Sequence, residues 1–197
     1  MTLSAQPKAV VFDLDGTLVD SRLDFAAMRA ETGCPPEQGL LEFRDAIDDS
    51  ERRRQVEEVI HWHEISGAKA ATWMPGAQSL TQALTRRGLL LGVFTRNSRE
   101  CASLTLSRLG IPCDDLVARE DAAPKPDPGC LNMLASRWGL AAGDILMVGD
   151  FRYDIESGRA AGMQTCLYDP AGDNPAATLA DCVVSHFEEL EGLLDRD

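Results

Sequence analysis

The stretch Lys8-Ala9-Val10-Val11-Phe12-Asp13-Leu14-Asp15-Gly16-Thr17-Leu18-Val19-Asp20-Ser21 decides the fold. It opens with a short apolar run, Lys8 to Phe12, that has no polar alternation. Such a run suits a strand buried on both faces. The run stops abruptly on two carboxylates, Asp13 and Asp15, followed by Gly16-Thr17.

Further runs of the same kind recur along the chain. They are Leu89 to Phe94, Asp115 to Ala118, Asp144 to Val148, Met163 to Tyr168 and Asp181 to Val184. Between them lie helical patterns over Gly76–Arg87, Glu100–Leu109, Asp127–Trp138 and Ile155–Ala161. Glycines at 88, 110, 139 and 162 supply the stops. Strand alternating with helix predicts an α/β fold, a Rossmann-like three-layer parallel sheet with helices on both faces.

Residues 21–74 interrupt this alternation. They read as helix without strand, with one helix over Leu23–Thr32 and another over Ser50–Ser66. Residues 1–20 and 75–197 are therefore expected to form the core domain, and 21–74 a small helical cap inserted after strand 1. The cap is expected to move as a lid, with Arg22, Arg29 and Arg44 as its candidate substrate contacts. Arg52-Arg53-Arg54 reads as a solvated helix face, and His61 and His63 as packed or surface histidines.

Composition bounds the function. The 197 residues carry 19 Lys and Arg against 32 Asp and Glu, a formal charge of −13. That argues against a nucleic-acid backbone or an anionic membrane as partner. No apolar run approaches the roughly 18 residues of a membrane span. The first residues lack the basic and apolar blocks of a signal peptide. Six cysteines, at 34, 101, 113, 130, 166 and 182, form no C-x-x-C pair. They read as reduced core thiols of a cytoplasmic protein.

The polar residues that matter fall at the carboxyl ends of strands, where open parallel sheets bind their ligands. Asp13 and Asp15 end the first run, Thr95 the second and Asp150 the fourth, while Lys125 lies in Pro124-Lys125-Pro126-Asp127-Pro128. Three gathered carboxylates repel unless a cation sits among them, and all-oxygen ligands suit Mg²⁺. A carboxylate beside such an ion can attack phosphorus, and a second carboxyl can serve as acid and base. Thr95 can donate to a phosphoryl oxygen, and Lys125 supplies local positive charge. Together these parts make a phosphoryl-transfer site.

Four segments carry a resemblance. They are Val10 to Ser21, Val93-Phe94-Thr95, Pro124 to Pro128, and Val148-Gly149-Asp150 with Asp154 and Ala160-Ala161-Gly162. In this order and spacing the chain resembles the haloacid dehalogenase (HAD) superfamily, subfamily I, with its helical cap after the first strand. Within it the chain resembles the phosphoglycolate-phosphatase-like members. The resemblance implies that Asp13 is the nucleophile and forms an aspartyl-phosphate. It implies that Asp15 is the general acid/base and that its backbone carbonyl joins the metal shell. Thr95 and Lys125 hold the phosphoryl group, Asp13 and Asp150 are the side-chain Mg²⁺ ligands, and Asp154 orients its neighbours or a metal-bound water.

The chain departs from the family pattern at two places. Arg96 precedes Asn97, and Phe151-Arg152-Tyr153 is bulky where small or polar residues are common. Arg96 is a candidate anion contact. The expected activity is Mg²⁺-dependent hydrolysis of a small phosphorylated metabolite by a monomer or homodimer. A sugar phosphomutase of the same fold and a regulatory binding protein are the alternatives. Asp15 argues against dehalogenase and phosphonatase chemistry, which lack this acid.

Overall fold

The computed structural model describes residues 3–121 and 123–195. Six parallel strands form one sheet: β1 (Ala9–Phe12), β4 (Leu90–Phe94), β5 (Asp115–Val117), β6 (Ile145–Gly149), β7 (Gln164–Tyr168) and β8 (Cys182–Val184). Their order is β5-β4-β1-β6-β7-β8. All four residues of β1 are buried, which is why that run shows no polar alternation. The chain builds the sheet outward from β1, first through β4 and β5 and then through β6, β7 and β8. That reversal opens a crevice at the carboxyl end of β1.

The helices cover both faces. On the face shared by Ala9, Val11, Ile145 and Met147 lies α6 (Gly129–Trp138), through Cys130, Leu131 and Leu134. Helix α7 (Arg152–Ala160) sits close on β6, because a Cβ at Gly158 would fall 2.9 Å from that of Met147. Val10 and Phe12 alternate to the opposite face. Helix α4 (Ala77–Arg86) packs on β4 and on α8 (Phe187–Leu194), whose Phe187 stacks on Tyr168 at 4.3 Å. Helix α5 (Arg99–Leu109) follows β4 and is capped by Ser98, whose side chain accepts from Cys101 N–H. The sheet and its flanking helices are the Rossmann-like α/β architecture that the alternation predicts.

The elements the sequence reading passed over are short. Residues 72–74 were expected to close an all-helical block, yet β3 (Thr72–Trp73) is a strand paired antiparallel with β2 (Val19–Asp20). A two-residue strand is too brief to show a period, and only its partner fixes it. Helix α2 (Leu40–Asp45) and helix α8, of six and eight residues, were likewise not foreseen. Helix α7 begins at Arg152 rather than Ile155, because the Asp154 carboxylate accepts from Phe151 N–H at 3.0 Å and closes the first turn.

Two compact units result, one of Met1–Asp20 with Thr72–Asp197 and the other of Ser21–Ala71. The second unit has its own small core of Met28, Cys34, Leu40, Val56 and Ile60, built from α1 (Phe25–Thr32), α2 and α3 (Ser50–Ala70). Its arginines are largely committed to that structure. Arg29 donates to the carbonyls of Pro35 and Gln38, both at 2.6 Å, and to Cys34 Sγ. Arg44 pairs with Glu57 at 2.7 Å and with Asp45 at 2.6 Å. Arg52, expected to face solvent, donates to the Thr32 carbonyl at 2.6 Å at the end of α1. His63 lies 3.2 Å from Glu31 and links α3 to α1. Arg29 and Arg44, expected as substrate contacts, both hold this unit's own helices and loops together. All six cysteines are free thiols, and five of them are buried.

Candidate active site

Asp13 extends β1 by one residue. Its N–H donates to the Val148 carbonyl at 2.8 Å, so the ladder with β6 fixes where its side chain emerges. The chain then turns tightly, with Leu18 and Val19 N–H both bonded to the Leu14 carbonyl and Gly16 N–H to Val19. Gly16 has φ +90, in the left-handed region, and a Cβ there would lie 2.6 Å from Asp150 Oδ2. Glycine is thus required both by the backbone and by the approach of Asp150. The same turn delivers Thr17, whose hydroxyl donates to Asp150 Oδ1 at 2.8 Å.

Asp150 follows β6, and Asp154 lies on the first turn of α7. Asp13, Asp150 and Asp154 each offer a carboxylate oxygen, and these atoms lie within 4.8 Å of one another. Lys125 reaches into this cluster. Its Nζ bonds Asp13 Oδ1 at 2.5 Å and Asp154 Oδ1 at 2.6 Å, and lies 4.8 Å from the centre of the Phe94 ring. Only 3% of Lys125 is exposed, so it is a buried cation held by carboxylates and a ring face.

The charges do not balance: three carboxylates face one ammonium. Burial, opposed by Lys125 and reinforced by Asp154 and Asp150, pushes the Asp13 carboxyl well above the usual range. Burial and Asp154 lift Asp150 to about 6, against the donated bond from Thr17. Burial works against the Lys125 ammonium, but Asp13 and Asp154 overcome it and its pKa rises. The cluster therefore retains protons or takes up a cation. Its donors are all hard oxygens, with no His or Cys among them, which fits Mg²⁺.

A pH dependence follows. A raised carboxyl pKa means the folded chain binds the proton more tightly than the unfolded chain, so stability falls as pH rises from about 4 to about 6. A shift of this size is at most about 3 kcal/mol, and less here because Asp150 is only partly buried. Metal-free protein is expected to melt several degrees higher at pH 5 than at pH 7.5. Mg²⁺ at pH 7.5 should recover the difference, and Asp150→Asn should reduce it, leaving the part that Asp13 contributes. A melting temperature that does not change between these pH values would contradict the charge imbalance.

The other side of the crevice is built from the loop after β4. Thr95 is buried, and its N–H donates to the Val117 carbonyl while its hydroxyl accepts from Asn97 N–H at 3.0 Å. Asn97 is also buried, with Oδ1 accepting from Ser98 N–H. Its Nδ2 donates to Asp15 Oδ2 at 3.1 Å. Asp15 is thereby tied to the Thr95 loop, and its carboxylate is not one of the three clustered ones. Arg96 lies with its guanidinium 5.6 Å from the centre of the Tyr153 ring.

The structure thus brings Asp13, Lys125, Asp150 and Asp154 into one cluster, with Asp15 and Thr95 joined through Asn97. Sequence reasoning treated Asp154 as a neighbour that orients the others. The structure puts its carboxylate inside the cluster while it also caps α7. Three supports went unnoticed: Thr17, Asn97 and Asn174. Asn174 Nδ2 donates to the Asp150 carbonyl at 2.7 Å, and its own N–H is held by Asp169. A weak signal existed for Asn174, an Asn-Pro pair in the loop after a strand's carboxyl end.

Comparison with known proteins agrees with this geometry. A family model for haloacid dehalogenase-like hydrolases matches residues 7–162. The chain is 34% identical to an N-acetylmuramic acid 6-phosphate phosphatase of Pseudomonas aeruginosa, covering 96% of this chain and 95% of that one. It is 35% identical to a phosphoglycolate phosphatase of Rhodospirillum rubrum, covering 96% and 90%. A crystal structure described as a predicted phosphoglycolate phosphatase from Haemophilus somnus shares the fold. Its TM-score is 0.78 at 21% identity, over 96% of this chain and 99% of that one. With Asp13 just past the end of β1, Lys125 seated on it and Asp150 beside it, this chain belongs to the haloacid dehalogenase-like hydrolases.

Proposed function

We propose that this protein is a Mg²⁺-dependent phosphatase that hydrolyses a small phosphorylated metabolite through an aspartyl-phosphate on Asp13. The observation that carries the reading is the seat of Lys125 between Asp13 and Asp154 at the carboxyl end of β1. Relatives named as phosphatases of two different phosphorylated metabolites support the reaction type. In this reading the protein works in the cytoplasm as a monomer or homodimer. Among the described residues no helix is long and apolar enough to cross a membrane.

The residues divide the work as follows. An Asp13 carboxylate oxygen attacks phosphorus, forming an acyl-phosphate as the bond to the leaving oxygen breaks. Asp15 delivers its proton to that leaving oxygen, and the alcohol departs. Asp15, now a carboxylate, takes a proton from water as the water oxygen attacks phosphorus. The bond to Asp13 breaks, releasing phosphate and restoring the carboxylate. Lys125 and Thr95 hold the transferring group, and Lys125 offsets its negative charge. Asn97 holds the Asp15 carboxylate toward the Thr95 loop throughout. Mg²⁺, when bound, would be held by the Asp13 and Asp150 side chains and the Asp15 carbonyl, and supplies the positive charge the cluster lacks.

A panel of phosphorylated metabolites assayed for phosphate release tests the reading. Hydrolysis should appear with Mg²⁺, vanish in excess chelator and return when Mg²⁺ is restored. Full activity in chelator would remove the metal from the reading. Binding without turnover of any ester would favour a regulatory protein.

A further inference from the structure

Asp150 stands between the end of β6 and the start of α7, so the rigid peptide plane that joins it to Phe151 helps decide where its side chain is carried. Both edges of that plane are held. On one edge Phe151 N–H donates to Asp154 Oδ2 at 3.0 Å. On the other the Asp150 carbonyl accepts from Asn174 Nδ2 at 2.7 Å. The side chain is held as well, by the Thr17 hydroxyl on Oδ1 at 2.8 Å. Thr17 and Asp154 belong to the turn after β1 and to the carboxylate cluster. Asn174 comes from elsewhere, the loop between β7 and β8.

That loop is built to present one amide. Asp169 follows β7, with its N–H on the Val184 carbonyl, and it is buried. Its two carboxylate oxygens accept from Gly172 N–H at 2.9 Å and from Asn174 N–H at 3.0 Å. Gly172 has φ +75, which lets the chain fold back over Asp169. Pro175 then opens a short 3₁₀ turn, Pro175–Thr178, whose Ala176 is buried with Ile155 of α7 and Leu167 of β7. The Asn174 side chain bridges from this seat to Asp150. Its Oδ1 accepts from Ala176 N–H at 3.0 Å. A backbone N–H only donates, so this bond fixes which end of the amide is oxygen and turns Nδ2 toward the Asp150 carbonyl. A neutral donor suits the place. A lysine or arginine could hold the same carbonyl, but its charge would oppose a divalent cation among the three carboxylates.

We propose that Asn174 is a positioning residue for metal binding: by fixing the peptide plane after Asp150 it keeps that carboxylate aimed into the cluster, and so sets the affinity for Mg²⁺. Asp13, Asp150 and Asp154 repel one another, so an unbraced Asp150 turns away while no cation is present. Returning it to the cluster then costs part of the binding energy, and the brace removes that cost. The proposal rests on the Mg²⁺-dependent reading of the same site. It extends that site to a loop that supplies neither a metal ligand nor a reacting group.

Calorimetric titration of Mg²⁺ into metal-free protein, with no substrate present, tests it, and the rise of melting temperature with Mg²⁺ gives a second reading. Asn174→Ala should raise the dissociation constant by about 10–100-fold, the usual effect of removing a partner that orients a metal ligand. Asn174→Asp separates positioning from charge. It keeps the size of the side chain and an oxygen for Ala176 N–H, but it replaces the donor by an acceptor and adds a negative charge near the cluster. Charge alone would tighten Mg²⁺ binding, whereas loss of positioning weakens it, so the sign of the change decides. Both variants keep the bonds to Asp169, which come from the main chain of the loop. Should Asn174→Ala fail to fold, the sign in Asn174→Asp carries the test. Weaker Mg²⁺ binding in the variants, with circular dichroism of the metal-free proteins unchanged, supports the proposal. Binding as tight as the wild type in Asn174→Ala, or tighter than the wild type in Asn174→Asp, overturns it. Either of those results beside a wild type whose hydrolysis needs Mg²⁺ removes this proposal and leaves the phosphatase reading standing. Weakened binding in the variants of a protein that hydrolyses no ester does the reverse. A wild type that binds no Mg²⁺ overturns both.

Discussion

Asp13→Asn is expected to abolish phosphate release, by at least on the order of 10⁴-fold, while the fold remains intact. The amide has nearly the shape of the carboxylate but does not form the acyl-phosphate. Lys125 keeps its bond to Asp154 at 2.6 Å, so the cation is not stranded. The substitution also removes one of three carboxylates that face a single ammonium. The melting temperature of the metal-free protein should therefore hold or rise. Phosphate release measured with Mg²⁺, together with circular dichroism and thermal melting, checks both halves. Substantial turnover by Asp13→Asn would remove the covalent route, whatever the substrate.

Lys125→Met should cost more in stability than any surface substitution. It removes a buried cation bonded to two carboxylates and leaves them facing each other and Asp150. Breaking a buried ion pair on one side typically costs about 3–5 kcal/mol. For a chain of this size that is a drop of about 10 °C or more in melting temperature. The sign with pH is fixed by the partners. Lys125 has its pKa raised above that of a free lysine, so its contribution is fully present at neutral pH and is lost only at strongly alkaline pH. In the variant, acidification protonates the stranded carboxylates, so the deficit should shrink at pH 5. Activity should fall by about 10²–10³-fold even at temperatures where the variant is folded, the usual cost of one donor to a developing anion. Equal melting temperatures for wild type and Lys125→Met at pH 7.5 would show that the buried pairing contributes nothing.

The sheet was largely legible because its central strands are buried on both faces. The runs Ala9 to Phe12 and Leu89 to Phe94 lack polar residues for the same reason that β1 and β4 have almost no solvent contact. The two-residue strands β2 and β3 and the six-residue helix α2 carry too little pattern and exist because of what they pack against. The clustered residues were legible because strand ends in a parallel sheet converge, and Asp13, Thr95 and Asp150 each stop an apolar run. What no linear pattern reveals is the partner of a polar side chain. Thr17 on Asp150 spans 133 positions and Asn97 on Asp15 spans 82. The cap arginines show the same limit from the other side. Arg29 and Arg44 looked available for substrate, yet short contacts within residues 21–71 already occupy them.

The β2–β3 ribbon has a consequence for how such a chain can vary. Asp20 stands opposite Thr72 and Val19 opposite Trp73, so the chain leaves and re-enters the sheet unit at neighbouring points, about 5 Å apart. From the side of that unit, everything from Ser21 to Ala71 is one long hairpin loop whose ends are already tied. The entropy of closing a loop grows only logarithmically, by about 0.6 kcal/mol for each doubling of length. An insert of half or twice this size would leave the register of β2 with β3, and of β1 with its neighbours, where it is. The unit from Ser21 to Ala71 is thus attached at the place where exchanging it disturbs the strands that lead to Asp13, Thr95 and Asp150 least. Substrate choice carried by an insert can be grafted or trimmed independently of the chemistry beneath it.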